Sequence, residues 1–113
     1  MVFLNGEPAK GAGDRSIEIE SCHPQLPVFS FVPFRYNDLA SFNRALEQLG
    51  GNLAAFVMEP MRSQFPQDDF LGKVAARCRA AGGVYVVDEV TSGLRYGFPG
   101  AMARLGIAPD VVV

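Results

Sequence analysis

Two uninterrupted apolar runs lie in the second half of the chain, and each ends at an acidic residue. Residues 53–58 form the first run, which stops at Glu59, and residues 84–87 form the second, which stops at Asp88. A run of this length without alternating polar residues is typical of a strand buried on both faces of a sheet. The pattern therefore predicts two buried strands with carboxylates at their carboxyl ends.

A stretch with helical spacing precedes the first run. Asn37 or Asp38 can cap a helix here, and Gly50-Gly51 can end it. The apolar residues between these positions recur every three or four residues, which indicates a helix that packs by one side. These residues are Leu39, Phe42, Leu46 and Leu49.

A second amphipathic stretch connects the two apolar runs. It begins after Asp68 or Asp69 and ends at Gly82-Gly83. A strand, a helix and a strand in this order predict a βαβ unit, in which the two strands are parallel. The chain is therefore predicted to belong to the α/β class, with mostly parallel strands. The inner side of this helix is formed by Phe70, Leu71, Val74, Ala75, Cys78 and Ala81.

The two ends of the chain have weaker patterns. Glycine and proline interrupt residues 1–33, which are predicted to be irregular, with short strands at residues 16–20 and 28–32. At the other end, residues 109–113 are typical of the beginning of a third buried strand. Because the chain stops inside that strand, we expect it to be part of a longer polypeptide.

The composition limits the classes of protein to which the chain can belong. With 113 residues, of which 49% are hydrophobic and 11% aromatic, it has the material for one compact domain and not for a disordered tail. The net charge is −2 and the basic residues are scattered, so we expect no nucleic-acid partner. The sequence contains neither a signal peptide nor an apolar run of about 20 residues, which predicts a soluble, cytoplasmic protein without a membrane partner.

The cysteines and the histidine do not form a metal-binding or disulfide pattern. Cys22 and Cys78 lie far apart without CxxC spacing, and His23 is the single histidine. A structural zinc site needs more cysteine or histidine ligands than this arrangement offers. We therefore predict no metal site and interpret both thiols as buried or chemically idle.

The candidate chemistry lies at the predicted strand ends. In parallel α/β sheets, ligands bind outside the carboxyl ends of the strands, where this sequence places Glu59 and Asp88-Glu89. Burying such carboxylates is costly unless a cation or hydrogen-bond donors compensate, which points to a ligand. The alternative is that Glu59 and Asp88 cap the turns that follow them or pair with Arg62 or Arg95.

The segment VYVVDE at residues 84–89 is also compatible with the strand that holds magnesium in P-loop ATPases. Such an enzyme needs a Gly-rich phosphate loop that ends in Gly-Lys-Ser/Thr. Gly72-Lys73 is followed by Val74, and the glycines near the start of the chain lead to Ala12-Gly13. A magnesium- or nucleotide-binding α/β domain is therefore an alternative that lacks its phosphate site.

Three motifs are more specific than an Asp-Glu pair. They are MEP at residues 58–60, DEVTSGLRYG at residues 88–97 and LGIAPD at residues 105–110. With FRYNDL at residues 34–39, they resemble the central large-domain segment of class III aminotransferases, and most closely the glutamate-1-semialdehyde aminomutase group. The resemblance implies that residues 34–113 are part of the large domain of a fold type I enzyme, a partial three-layer sandwich, and it leaves residues 1–33 unplaced.

The resemblance also implies roles for four residues. Asp88 matches the aspartate that pairs with the pyridine nitrogen of pyridoxal 5′-phosphate (PLP) and keeps it protonated, which makes the ring a better electron sink. Val90 matches the apolar residue that packs on a face of that ring, and an ordinary core valine is the alternative. Glu59 matches the glutamate of the family's EP motif, near cofactor and substrate. Thr91 stands where many members carry a glutamine.

The activity implied by the resemblance is the transfer of an amino group between a small-molecule amino compound and a carbonyl acceptor, by an aminotransferase or aminomutase that is usually a homodimer. In the family, the Schiff-base lysine follows the next strand, beyond Val113. The two lysines of this chain, Lys10 and Lys73, do not match it. This segment is therefore expected to be inactive by itself, and a truncated, catalytically inactive domain is a further alternative.

Overall fold

The computed structural model describes residues 2–4, 17–19, 29–61 and 63–113, and it describes side chains from residue 32 onwards except that of residue 62. The predictions for Lys10, Cys22, His23 and Arg62 lie outside the described residues. The elements are β1 (Val2–Leu4), β2 (Ile17–Ile19), β3 (Phe29–Phe31), α1 (Leu39–Leu49), β4 (Ala55–Met58), α2 (Phe70–Ala80), β5 (Val84–Val87), α3 (Ala101–Arg104) and β6 (Val111–Val112).

The strands form one sheet in the order β2-β3-β1-β4-β5-β6. β4 and β5 are parallel neighbours, with Met58 opposite Val87, and β6 adds to β5 in the same direction. The pair β2-β3 is antiparallel, whereas the other neighbouring strands run parallel. The predicted βαβ unit and the predicted third strand are thus confirmed, and the chain has an α/β fold with a mostly parallel sheet.

The first part of the chain contributes more to the sheet than its sequence pattern indicates. The strands predicted at residues 16–20 and 28–32 are present as β2 and β3. β1 was not predicted, and it lies between β3 and β4. Three apolar residues are too few to show a period, so only the pairing with β3 and β4 makes this strand recognisable. The division of the chain at residue 33 stays a prediction.

The caps of α1 agree with the sequence, whereas the start of α2 differs. The Asp38 side chain accepts a hydrogen bond from the Ser41 backbone N–H at 2.8 Å, and Gly50 ends α1 in the left-handed region at φ 56°. α2 begins after Asp69, but that residue has φ 55° and its side chain makes no capping hydrogen bond. Asp69 therefore marks the boundary of α2 through its backbone conformation and not through its carboxylate.

The core lies between one face of the sheet and the two longer helices. Phe56 and Met58 of β4 and Tyr85 and Val87 of β5 are buried in one cluster with apolar residues of α1 and α2. The alternate residues of the same strands are half-buried or exposed, so the prediction that both strands are buried on both faces is wrong for this chain. Because side chains alternate along a strand, α1 and α2 cover one face of the sheet, and the other face is not covered by either.

The Cys78 thiol belongs to this core. It is fully buried, and its Sγ lies 3.3 Å from the Gly83 carbonyl oxygen, to which it donates. Burial, together with the nearby Asp110, raises the pKa of Cys78 to about 11. The interpretation of this thiol as buried is confirmed.

Candidate functional site

Glu59 and Asp88 leave the sheet at the same edge. They directly follow Met58 and Val87, which are partners in the parallel ladder, and the Asp88 backbone N–H donates to the Met58 carbonyl at 2.8 Å. The last residue of each strand, Met58 or Val87, is buried against the helices. Because side chains alternate along a strand, the residue that follows it, Glu59 or Asp88, lies on the face opposite α1 and α2. The prediction that they emerge at one edge is confirmed.

The Asp88 carboxylate stabilises the turn that follows β5. Its Oδ1 accepts a hydrogen bond from the Val90 backbone N–H at 3.0 Å, so the turn-capping alternative describes one of its oxygens. No described residue donates a hydrogen bond to Oδ2, and within residues 63–113 no ion pair joins Asp88 to Arg95. The half-buried carboxylate is therefore held in place while one oxygen can still meet a ligand.

Apolar side chains after Asp88 point into solvent. Val90 is 78% exposed, Leu94 is 89% exposed and Phe98 is 93% exposed. Val90 therefore does not belong to the core that this chain forms by itself. Thr91 is exposed beside it. An apolar residue two positions from a carboxylate, at an open sheet edge, is suited to contact a flat aromatic ligand.

Glu89 turns the opposite way and is 8% exposed. Its Oε2 accepts from the Ser92 hydroxyl at 2.6 Å and from the Ala101 N–H at 3.2 Å, and its Oε1 accepts from the Met102 N–H at 2.6 Å. Alternation along an extended chain places neighbouring side chains on opposite sides, and Glu89 accordingly lies on the side opposite Asp88. Sequence reasoning missed that Glu89 binds the start of α3, because that four-residue helix is too short to show a helical period.

Two glycines make room for this arrangement. A Cβ atom at Gly93 would lie 2.9 Å from the Glu89 carbonyl oxygen, and one at Gly100 would lie 2.9 Å from Glu89 Oε1. Gly100 also has φ 136°, a conformation that other residues rarely adopt. The glycines of the DEVTSG and YGFPG segments therefore serve the close approach of the loop to Glu89.

The loop after β4, residues 59–69, is held by two residues that precede α1. The Tyr36 hydroxyl donates to the Pro60 carbonyl at 2.7 Å. The Asn37 side chain donates to the Phe65 carbonyl at 2.9 Å and accepts from the Gln67 N–H at 3.0 Å. Burial, with a smaller contribution from Tyr85, raises the pKa of Tyr36 above its ordinary value, so this hydroxyl stays protonated. The segment that carries Glu59 is thus fixed from outside the βαβ unit.

We predict that Asn37→Ala lowers the free energy of unfolding by about 1–3 kcal/mol, because it removes two hydrogen bonds and leaves an alanine at φ 60°. Asn37→Gly removes the same hydrogen bonds but accepts this backbone conformation. It should be less destabilising than the alanine variant by about 1 kcal/mol. Urea unfolding of both variants measures the difference, and equal losses would show that the backbone conformation contributes nothing.

The described residues give no sign of the alternative nucleotide site. Gly72 and Lys73 lie inside α2 and not in a loop after a strand. Within residues 32–61 and 63–113, no group of three or more His, Cys, Asp or Glu side chains is placed to hold a metal ion. In the part of the chain that the structure describes, no helix has the length and apolar character needed to cross a membrane.

Comparison with known proteins gives consistent matches. The family model for class-III aminotransferases matches residues 12–113. A glutamate-1-semialdehyde 2,1-aminomutase from Anaeromyxobacter is 37% identical over 81 residues, 68% of this chain, and one from Pyrobaculum neutrophilum is 34% identical over 107 residues, 89% of this chain. These alignments cover 19% and 25% of the relatives, so the chain spans about a quarter of their length or less.

Solved transaminase structures also match this chain, over nearly its whole length. A transaminase with PLP bound aligns with 98% of this chain and 30% of its own, at a TM-score of 0.72 and 24% identity. A β-phenylalanine aminotransferase from Variovorax paradoxus aligns with 98% of this chain and 26% of its own, at a TM-score of 0.71 and 25% identity. The α/β arrangement described above is therefore that of transaminase large domains.

Proposed function

Because this chain belongs to the class-III aminotransferase family, we propose that it forms the side of a PLP site that contacts the pyridine ring. The observation that carries the proposal is the placement of Asp88 and Glu59 at the ends of two paired parallel strands, on the same face. Ligands of parallel α/β sheets bind at this edge. PLP, when bound, supplies an electron sink for the carbanion that forms when the amino substrate loses its α-proton.

The geometry of Asp88 fits a cationic ring nitrogen. Its carboxylate is half-buried at the strand end, and the Val90 N–H fixes Oδ1 at 3.0 Å. A carboxylate opposite a pyridinium favours the protonated ring, since the two charges stabilise each other where solvent is partly excluded. We therefore assign to Asp88 the task of holding a proton on the pyridine nitrogen.

The neighbours of Asp88 complete this side of the proposed site. Val90, which is 78% exposed, offers an apolar surface to a ring face. Thr91 is exposed next to it and offers a hydroxyl where many family members have a glutamine side chain. Glu59, on the adjacent strand end, is proposed to lie near both cofactor and substrate. These three assignments, like that of Asp88, are proposals for the assembled enzyme.

For the complete protein we propose an aminomutase or aminotransferase that acts on a small amino compound, works in the cytoplasm and forms a homodimer. The glutamate-1-semialdehyde 2,1-aminomutases among its relatives favour glutamate-1-semialdehyde as the first substrate to test. The transaminases among the similar structures make an ω- or β-amino acid with a 2-oxo acid acceptor the second candidate. Consumption of glutamate-1-semialdehyde without an added acceptor would indicate the aminomutase, whereas a strict need for the 2-oxo acid would indicate the aminotransferase.

We predict that the 113-residue chain alone does not bind PLP covalently at a specific lysine. Lys73 lies on the exposed side of α2, its ammonium group donates to the Asp68 carbonyl, and α2 covers the sheet face opposite Asp88. Its amine therefore cannot reach an aldehyde on a ring held by Asp88. The measurement is borohydride reduction after incubation with PLP, followed by mass spectrometric mapping. Stoichiometric labelling of one lysine that is lost in Asp88→Asn would contradict the prediction, whereas weak scattered labelling reports only exposed amines.

A further inference from the structure

We propose that Glu89 is a positioning residue for Asp88 and Val90. Its buried carboxylate fixes the loop of residues 90–100, and this loop in turn holds Asp88 and Val90 in the orientation that the cofactor meets. The inference rests on the proposed function, because the orientation matters for catalysis only if Asp88 faces the ring. It assigns Glu89 no contact with cofactor or substrate.

The contacts of Glu89 reach both ends of the loop. The Ser92 hydroxyl and the Gly93 N–H bind it near the beginning, at 2.6 Å to Oε2 and 2.7 Å to the backbone carbonyl. The N–H groups of Ala101 and Met102 bind its two carboxylate oxygens after the end of the loop. One residue thus closes the loop from both sides, although its partners are up to 13 positions away in sequence.

The same residue is tied to the sheet. The Glu89 N–H donates to the Val113 carbonyl at 2.8 Å, and the Val113 N–H donates to the Val87 carbonyl at 3.0 Å. The N–H of the preceding residue, Asp88, donates to the Met58 carbonyl of β4. The backbone of Asp88 and Glu89 is therefore fixed between the end of β4 and Val113, which follows β6, and the Glu89 side chain links this fixed backbone to the loop.

The link from Glu89 to Asp88 passes through the turn at Val90. Asp88 Oδ1 is oriented by the Val90 N–H, and the Val90 N–H can point at Asp88 only while residues 90–93 keep their turn conformation. That conformation is closed by the Gly93 and Ser92 hydrogen bonds to Glu89. Loss of the Glu89 carboxylate removes the Ser92 hydrogen bond and leaves only the Gly93 bond to the Glu89 backbone carbonyl, so the turn that orients Asp88 and carries Val90 is held less firmly.

The chemistry of the contacts distinguishes between substitutions. In Glu89→Ala, the buried Ala101 N–H and the Met102 N–H both lose their acceptor. In Glu89→Gln, the amide oxygen can still accept from Met102 and the amide NH₂ can donate to Ser92, but the Ala101 N–H loses its acceptor. In Ser92→Ala, one donor is lost and both backbone contacts of the carboxylate remain. The loop should therefore be loosened most in Glu89→Ala, less in Glu89→Gln and least in Ser92→Ala.

The first test measures the loop without cofactor. In the apo form of the complete enzyme, hydrogen–deuterium exchange of the peptides covering residues 90–102 should be at least about tenfold faster in Glu89→Ala and intermediate in Glu89→Gln. Exchange in α1 should not change. Glu47→Ala, which removes an exposed glutamate side chain of α1, is the matched control and should leave the loop as in the wild type. Unchanged exchange in both Glu89 variants would overturn the inference.

The second test separates positioning from general stability. The dissociation constant of PLP should rise by about tenfold or more in Glu89→Gln, as it does when a supporting residue of a site is removed. Asp88→Asn should weaken PLP binding clearly in the wild-type enzyme. In the Glu89→Gln enzyme the same substitution should weaken binding much less, because Asp88 is already no longer held in place there. Equal losses in both backgrounds would show that Glu89 acts only on stability. If Asp88→Asn has no effect in the wild type, the proposed function itself fails, a result distinct from either outcome for Glu89.

Discussion

Replacing Asp88 by asparagine is expected to lower amino transfer by the complete enzyme by at least about 100-fold, the scale of loss when one preorganised electrostatic partner of the reacting group is removed. The amide has nearly the shape of the carboxylate, and its oxygen can keep the 3.0 Å hydrogen bond from the Val90 N–H. What is lost is the negative charge that keeps the pyridine nitrogen protonated. The turnover number should therefore fall while the fold is preserved.

The control for this prediction is Asp68→Asn, the same chemical change at an exposed aspartate of the loop before α2. Circular dichroism and thermal unfolding should be close to wild type for both variants. Activity of the Asp88 variant within a fewfold of wild type would refute its assignment to the ring nitrogen. A large loss of activity in both variants would indicate that the loss does not depend on the position of Asp88.

Phe56→Ala should lower the free energy of unfolding by about 3–5 kcal/mol, the usual cost of removing a buried aromatic ring from a core. Phe56 is fully buried in β4, and its ring lies 5.3 Å from that of Phe42 and 5.4 Å from those of Phe34 and Tyr85. One substitution thus opens a cavity where α1, β5 and the segment before α1 meet. Denaturant unfolding of the chain measures the loss.

Phe98→Ala provides the matched comparison, because the same atoms are removed from a residue that is 93% exposed. Its cost should be less than about 0.5 kcal/mol, as for other surface substitutions. Similar losses for the two variants would mean that the ring cluster around Phe56 does not form the core of the folded chain.

The hydrophobic pattern of the sequence determined the central unit of this fold. Residues 53–58 and 84–87 could be recognised as strands, and the spacing between them as a helix, because an uninterrupted apolar run of this length is typical of a sheet strand. β4, α2 and β5 confirm the order strand, helix, strand, whereas the expected burial on both faces is not met in this chain, because alternate residues of β4 and β5 are half-buried or exposed. β1 could not be recognised, since its three residues are all apolar and lack the alternation of β2 and β3, and the four residues of α3 are too few to show a helical period.

For the candidate site, the sequence determined which chemical groups are present and tertiary structure determined what each of them faces. The motif at residues 88–97 and the position of Asp88 after a buried strand pointed to a carboxylate at a ligand-binding edge. Whether Val90 is a core residue or an exposed one was decided by the path of the loop after β5, which leaves it 78% exposed.

Glu89 shows the same division most clearly. Alternation along the chain indicated that it turns away from Asp88, but its neighbours there are Ser92, Ala101 and Met102. A local pattern records which face a side chain takes, because that depends on the backbone of the same strand. Hydrogen-bond partners far along the chain depend on how the loop folds back. Only the tertiary structure brings these groups within hydrogen-bonding distance. It alone could therefore show that Glu89 holds the loop that lies beside Asp88.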